Sequence, residues 1–169
     1  MSDMRGMRGL GTAVAVALLL VAAAGVALGS PPTAASGTVT QEAITGFELR
    51  LAGPSIVIEQ STTGSVSGTL TGTYEDSFTV VIHPDGRFNA HGTLTCQCTV
   101  EGDQGLLELV VTNTGREIDG VPTFEGRFVI KGGTGDLSGL SGVLDFVGTV
   151  DVPSGLSTIT YSGQIHSHL

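Results

Sequence analysis

The sequence predicts an all-β domain closed into an antiparallel barrel, and three observations carry that prediction. In Ser65-Val66-Ser67-Gly68-Thr69-Leu70-Thr71-Gly72-Thr73-Tyr74 every even position is apolar or Gly and every odd one is Ser or Thr. Side chains of a strand point to opposite faces in turn, so this rhythm marks a strand with one buried face. Segments of this kind then follow one another between turn signals without helical periodicity, the pattern of sandwiches and antiparallel barrels. Finally, Gly68, Gly72, Gly92, Gly126, Gly148 and Gly163 fall on the apolar face of their segments. Gly weakens a strand that it merely fills. Repeated on the inward face, it relieves crowding and lets a strongly coiled sheet close on itself.

Taken from the N-terminus, residues 1–29 read as a signal peptide or a membrane anchor, 30–43 as a flexible Pro/Ser/Thr linker and 44–169 as the barrel domain. Arg5 and Arg8 form a positive n-region, Leu10 to Leu28 is an apolar run, and Ala27-Leu28-Gly29 is an A-x-A-like cleavage site. The run approaches the roughly 20 residues of a membrane span, so an uncleaved anchor is the alternative to cleavage. Both place the domain outside the cytoplasm, secreted or in the cell envelope.

The candidate strands are Thr45–Leu51, Ser55–Ser61, Ser65–Tyr74, Ser77–His83, Arg87–Val100, Leu106–Thr112, Phe124–Lys131, Val143–Val152 and Ser157–His166. Pro84-Asp85-Gly86 presets φ for a tight turn and then supplies a residue that accepts positive φ. Gly102-Asp103-Gln104-Gly105 and Asn113-Thr114-Gly115 do the same for the next two connections. Asp119-Gly120-Val121-Pro122 breaks the ladder, because Pro has no donor. Phe47, Phe78, Phe88, Phe124, Phe128, Phe146, Tyr74 and Tyr161 are placed to fill the space that the glycines leave.

Between two such strands lies Gly132-Gly133-Thr134-Gly135-Asp136-Leu137-Ser138-Gly139-Leu140-Ser141-Gly142. This stretch resembles the Gly-rich corner of the allene oxide cyclase and dirigent barrels, and more closely that of an uncharacterised family of small bacterial barrel domains grouped with them. Phe124-Glu125-Gly126-Arg127-Phe128 before it and Tyr161-Ser162-Gly163 in the last strand fit the same frame. The resemblance runs from about Phe47 to the C-terminus. It implies an eight-stranded barrel with a central cavity, often trimeric in the plant members. By the logic of glycine use, Gly132, Gly133, Gly135, Gly139 and Gly142 are read as a structural corner in which the chain reverses through positive φ. No catalytic residue carries over, since the acidic and Arg side chains that plant members place inside the barrel have no recognisable inward counterpart.

The motifs weigh against most chemistries. The corner lacks Gly at 138 and has no βαβ unit, so it is not a dinucleotide fingerprint; nor does Asp136 stand where a calcium nonapeptide turn needs it. Cys96-Gln97-Cys98 puts both sulfurs on the inward face. Residues i and i+2 of an extended strand lie about 6.6 Å apart, at the upper limit for a disulfide, so a bridge needs a local bulge. Two buried free thiols acting as small hydrophobes are the leading reading, with a bridge or a metal site as alternatives. His166 and His168 share an outward face with Thr and Gln, and no third ligand is placed to join them. No Gly-x-Ser-x-Gly elbow is present, and Glu125, Arg127, Lys131 and Asp145 alternate outward.

With 16 Asp and Glu against 7 Lys and Arg, the net charge is −9, which disfavours nucleic acid as a partner. The expected role is that of a binding or structural module with an apolar interior. Tyr74, Phe78, Phe88, Cys96, Cys98, Phe128, Phe146 and Tyr161 line that interior and hold a small hydrophobic ligand. No cofactor or metal is expected. An isomerase or cyclase acting on an apolar substrate in the cavity is the alternative.

Overall fold

The computed structural model describes residues 31–167, so the predicted signal or anchor segment 1–29 and His168 lie outside the described residues. Eight strands follow in chain order: β1 Thr33–Ala52, β2 Ser55–Gly68, β3 Leu70–Ile82, β4 Arg87–Val100, β5 Asp103–Ile118, β6 Val121–Gly133, β7 Ser141–Asp151 and β8 Leu156–His166. Each pairs antiparallel with the next, and β8 closes on β1 to complete the barrel.

The alternation that predicts strands also blurs where they end. Ser65–Tyr74, read as one strand, is two: β2 stops at Gly68, whose φ of 110° lies in the left-handed region, and β3 starts at Leu70. Leu70 keeps the parity of Val66, so the rhythm runs through the turn unbroken. Conversely, Thr62-Thr63-Gly64 and Glu75-Asp76, read as breaks, are interior to β2 and β3. The predicted linker also needs correction. From Thr33 onward it is β1, with Thr33 to Thr40 laid in register against Ile165 to Thr158. Its small polar residues suit a strand whose neighbours supply the bulk, with Ala35 and Val39 buried.

Following the register once round the barrel, from Val66 through Val39, Ile159, Gly148, Phe124, Gly115, Phe88 and Ile82, returns to β2 at Ile56, ten residues from the start. Eight strands with that stagger tilt about 40° to the axis. One end is stoppered by the Gly-rich corner. Gly135 and Gly139 there take positive φ, a 3-10 turn spans Gly135–Leu137, and Leu137 and Leu140 are buried. Thr134 ties the corner to β5, donating its N–H to the Leu106 carbonyl and accepting the Leu106 N–H on its hydroxyl.

Toward the other end, aromatic rings lie over inward glycines. A Cβ on Gly126 would come within 2.7 Å of Phe146 Cζ, and one on Gly148 within 2.5 Å of Phe124 Cζ. The rings form a chain: Phe88 and Phe124 at 6.5 Å between centroids, Phe124 and Phe146 at 6.1 Å, Phe146 and Phe128 at 4.3 Å. Phe47 does not join them. It is 59% exposed, because β1 past Thr40 runs beyond the reach of β8.

Cys96 and Cys98 form a disulfide, not the free pair that strand geometry favours. No bulge accommodates it, since the ladders to β3 and β5 keep register through Gln97. Instead the strand is locally pleated, with Cα atoms 5.2 Å apart, inside the usual range for a bridge.

Candidate functional site

The structure brings most of the predicted interior residues together but leaves little room among them. Tyr74, Cys96, Cys98, Phe128, Phe146 and Tyr161 are buried in one core; Phe78 and Phe88 are half-buried toward the hairpin end. The void lined by Cys96, Phe128, Tyr161, Leu94 and Leu144 measures about 20 Å³. Organic ligands occupy sites of roughly 300–1,000 Å³, so a compound is not accommodated there. The Tyr161 hydroxyl is already engaged within the fold. It accepts the Leu70 N–H at 3.1 Å and faces the Ser67 carbonyl at 3.4 Å.

The interior is also less apolar than the sequence suggests. Asp76 alternates with Tyr74 and Phe78, which puts it on the inward face; that spacing is the signal that identifies it. Its Oδ1 accepts both the hydroxyl of Thr62, at 2.6 Å, and the Thr62 N–H, at 3.1 Å. Burial pushes the carboxyl up to about 6, against the pull of the two Thr62 hydrogen bonds. Burial and the neighbouring Asp76 charge also raise Tyr74. Asn113, alternating with Leu109 and Val111, has a buried Oδ1 with no hydrogen-bond partner among the described residues.

A raised carboxyl pKa means that the folded state binds the proton more tightly than the unfolded one. Its contribution is therefore full below the ordinary carboxyl value of 3.8, still largely present at pH 4, and lost as pH rises through about 6. Asp76→Asn keeps an acceptor for Thr62 and removes the buried charge. It is expected to stabilise the fold by about 1–2 kcal/mol at pH 8 and to change little at pH 4. Urea melts at the two pH values check this, and a variant weakened at pH 8 would show that Thr62 needs the carboxylate.

The spacious concavity lies on the outside. A broad, open groove of about 1280 Å³ runs across β4 to β8 at the hairpin end. Two cross-strand rows of outward side chains pave it: Thr114, Glu125, Val147 and Thr160, then Arg116, Thr123, Thr149 and Thr158. A second hollow of about 640 Å³ continues from the first row toward Thr112, Arg127, Asp145 and Ser162. Arg127 and Asp145 pair across it at 2.9 Å. At the rim, Arg87 donates to Asp85 at 2.7 Å and holds that carboxyl below its ordinary value.

Arg116 stands directly opposite Arg87 in the β4–β5 register and has no acidic partner among the described residues. Like charges in that position are destabilising. Here they occur in a chain of net charge −9, in which anions to neutralise them are plentiful. The sequence marks neither arginine, because the groove exists only once five strands are side by side. Among the described residues there is no group of three or more His, Cys, Asp or Glu placed to hold a metal.

No protein-family model matches the chain, and no curated protein matches it. Among solved structures it is similar to a protein of unknown function from the DUF3224 family of Shewanella oneidensis MR-1, with a TM-score of 0.50 and 16% identity over 79% of this chain and 96% of that one. The likeness is one of fold: this chain is a closed eight-stranded antiparallel barrel that shares its architecture with a barrel domain of unknown function.

Proposed function

We propose that this is a non-catalytic binding module of the cell exterior, taking a small polyhydroxylated anion, such as an acidic saccharide, in the groove across β4 to β8. The observation that carries this reading is Arg116, which has no acidic partner among the described residues and stands opposite the Asp85-bound Arg87 beside a groove paved with threonine hydroxyls. A guanidinium suits a carboxylate by paired, charge-assisted hydrogen bonds, and Thr hydroxyls both donate and accept. An apolar ligand inside the barrel has far less support, given the 20 Å³ void. Residence outside the cytoplasm is supported by the buried Cys96–Cys98 disulfide, a bond that persists in oxidising compartments.

Calorimetric titration with a uronic-acid oligosaccharide and its neutral counterpart tests the reading. The acidic sugar is expected to bind, the neutral one to bind much more weakly, and Arg116→Ala to weaken the acidic sugar about tenfold or more, the size of one charge-assisted hydrogen bond. Equal binding of both sugars, or indifference to Arg116→Ala, would reject it.

A second reading has one observation in its favour. The resemblance to allene oxide cyclase barrels suggests an isomerase or cyclase, and Asp76 is an inward acid with a raised pKa next to Tyr74. Neither the groove nor the hollow beside it is lined by Asp76, so it has no substrate space there. The binding reading therefore stands first.

A further inference from the structure

A closed barrel has no sheet edges, yet this one keeps a stretch of edge. β8 pairs with β1 over Thr33 to Thr40, whereas β2 pairs with β1 as far as Ala52. The seam gains one more link where the Gln41 side-chain carbonyl accepts the Ser157 N–H at 3.0 Å. Beyond it, among the described residues, β1 has β2 on one side and no strand on the other. The two bulges of β1 lie at or before Gly46, so Phe47 to Ala52 run in unbroken register with β2.

Natural edges are blunted by Lys, Pro or inward charges. Phe47-Glu48-Leu49-Arg50-Leu51 has no Lys or Pro, and its inward-facing members are apolar: Phe47 is 59% exposed, Leu49 51% and Leu51 75%. The other face carries an unresolved charge. Glu48 lies directly opposite Glu59 of β2, and Arg50, at 3.7 Å, is the cation that offsets Glu59. Glu48 has no cation of its own among the described residues.

The order of these residues is its own complement. We propose that the Phe47–Ala52 edge of β1 is a homodimer surface, pairing antiparallel with the same edge of a second copy about a two-fold axis through Leu49. Antiparallel pairing sets Leu49 against Leu49, Phe47 against Leu51 twice on the inward face, and Glu48 against Arg50 twice on the outward face. Each Glu48 gains the cation it lacks, each apolar side chain gains a cross-strand partner, and the free main-chain groups complete a ladder. The isologous symmetry closes the assembly at two copies. The edge lies on β1 and the groove on β4 to β8, so the proposal is independent of ligand binding.

Sedimentation equilibrium of the protein as isolated is expected to give a dimer. Glu48→Arg or Arg50→Glu alone places like charges face to face at both ends of the pair and is expected to raise the dissociation constant at least about tenfold. The double exchange Glu48→Arg/Arg50→Glu restores opposite charges and is expected to recover the dimer, with thermal melts confirming that each variant is folded. Under mild oxidation Leu49→Cys is expected to cross-link two copies, and Leu51→Cys, facing Phe47 of the other copy, to remain largely uncross-linked. A monomer or trimer at all concentrations, a dimer indifferent to the single charge changes, or cross-linking of Leu51→Cys as fast as Leu49→Cys would overturn the proposal.

Discussion

Truncating Phe128 to alanine is expected to remove about 3–5 kcal/mol of folding stability, the range for a fully buried aromatic side chain. Phe128 is 3% exposed and sits mid-way along β6, its ring 4.3 Å from that of Phe146, with Leu144 opposite in the β7 register. Part of the loss is transfer of the ring to water, and part is the cavity left behind. That cavity would join the existing void of about 20 Å³, and the wall of a closed barrel has little freedom to collapse into it. Glu125→Ala, on the outward face of the same strand, is expected to change stability by no more than roughly 0.5 kcal/mol. Chemical denaturation of both variants checks the pair, and equal losses would show that the two faces of β6 are assigned the wrong way round.

Tyr161→Phe is expected to cost about 1–3 kcal/mol while leaving the core's volume intact. The Tyr161 hydroxyl is the acceptor for the Leu70 N–H, at the point where the chain turns from β2 into β3. Its removal strands a buried main-chain donor. Gly37 allows the ring to sit there, since a Cβ at Gly37 would lie 2.5 Å from that hydroxyl and 2.7 Å from Tyr161 Cζ. Tyr161→Phe should therefore melt earlier, with faster amide exchange at Leu70 than in the parent. Unchanged exchange at Leu70 would show that water or another acceptor takes the hydroxyl's place.

How far the sequence discloses this molecule depends on whether a signal is local. The inward parity of Tyr74, Leu94, Cys96, Cys98, Phe128, Phe146 and Tyr161 is a property of single strands, and alternation alone locates them correctly. The Gly-rich corner is equally local, because Gly135 and Gly139 mark their own positive φ. Strand ends are less local: the turn at Gly68 preserves the alternation on either side, so nothing in composition announces it. The polar face of β1 hid a strand for a related reason. Its burial comes from β2 and β8, which approach only after closure. Asp76 was legible by spacing and obscured by chemistry, since an acid beside Glu75 suggests a solvated bend. The groove, with Arg87 and Arg116 from adjacent strands, belongs to no stretch of sequence at all. The disulfide turns on a quantity that spacing alone does not carry, how deeply a strand will pleat.

The seam between β1 and β8 also governs how the barrel is made. Seven of the eight strand pairings join neighbours along the chain through short reversals, and each can form early at modest loop-closure entropy. The remaining pairing joins Thr33 to Ile165, nearly the whole described chain apart. Almost all of the topological difficulty of folding is thus concentrated in a single step. Until β8 emerges and docks, the other strands form an open curved sheet with two unprotected margins, one of them β1. A chain threaded outward N-terminus first would hold that margin exposed until its last strand arrives. The period of greatest vulnerability to mispairing therefore ends with the final residues to be delivered.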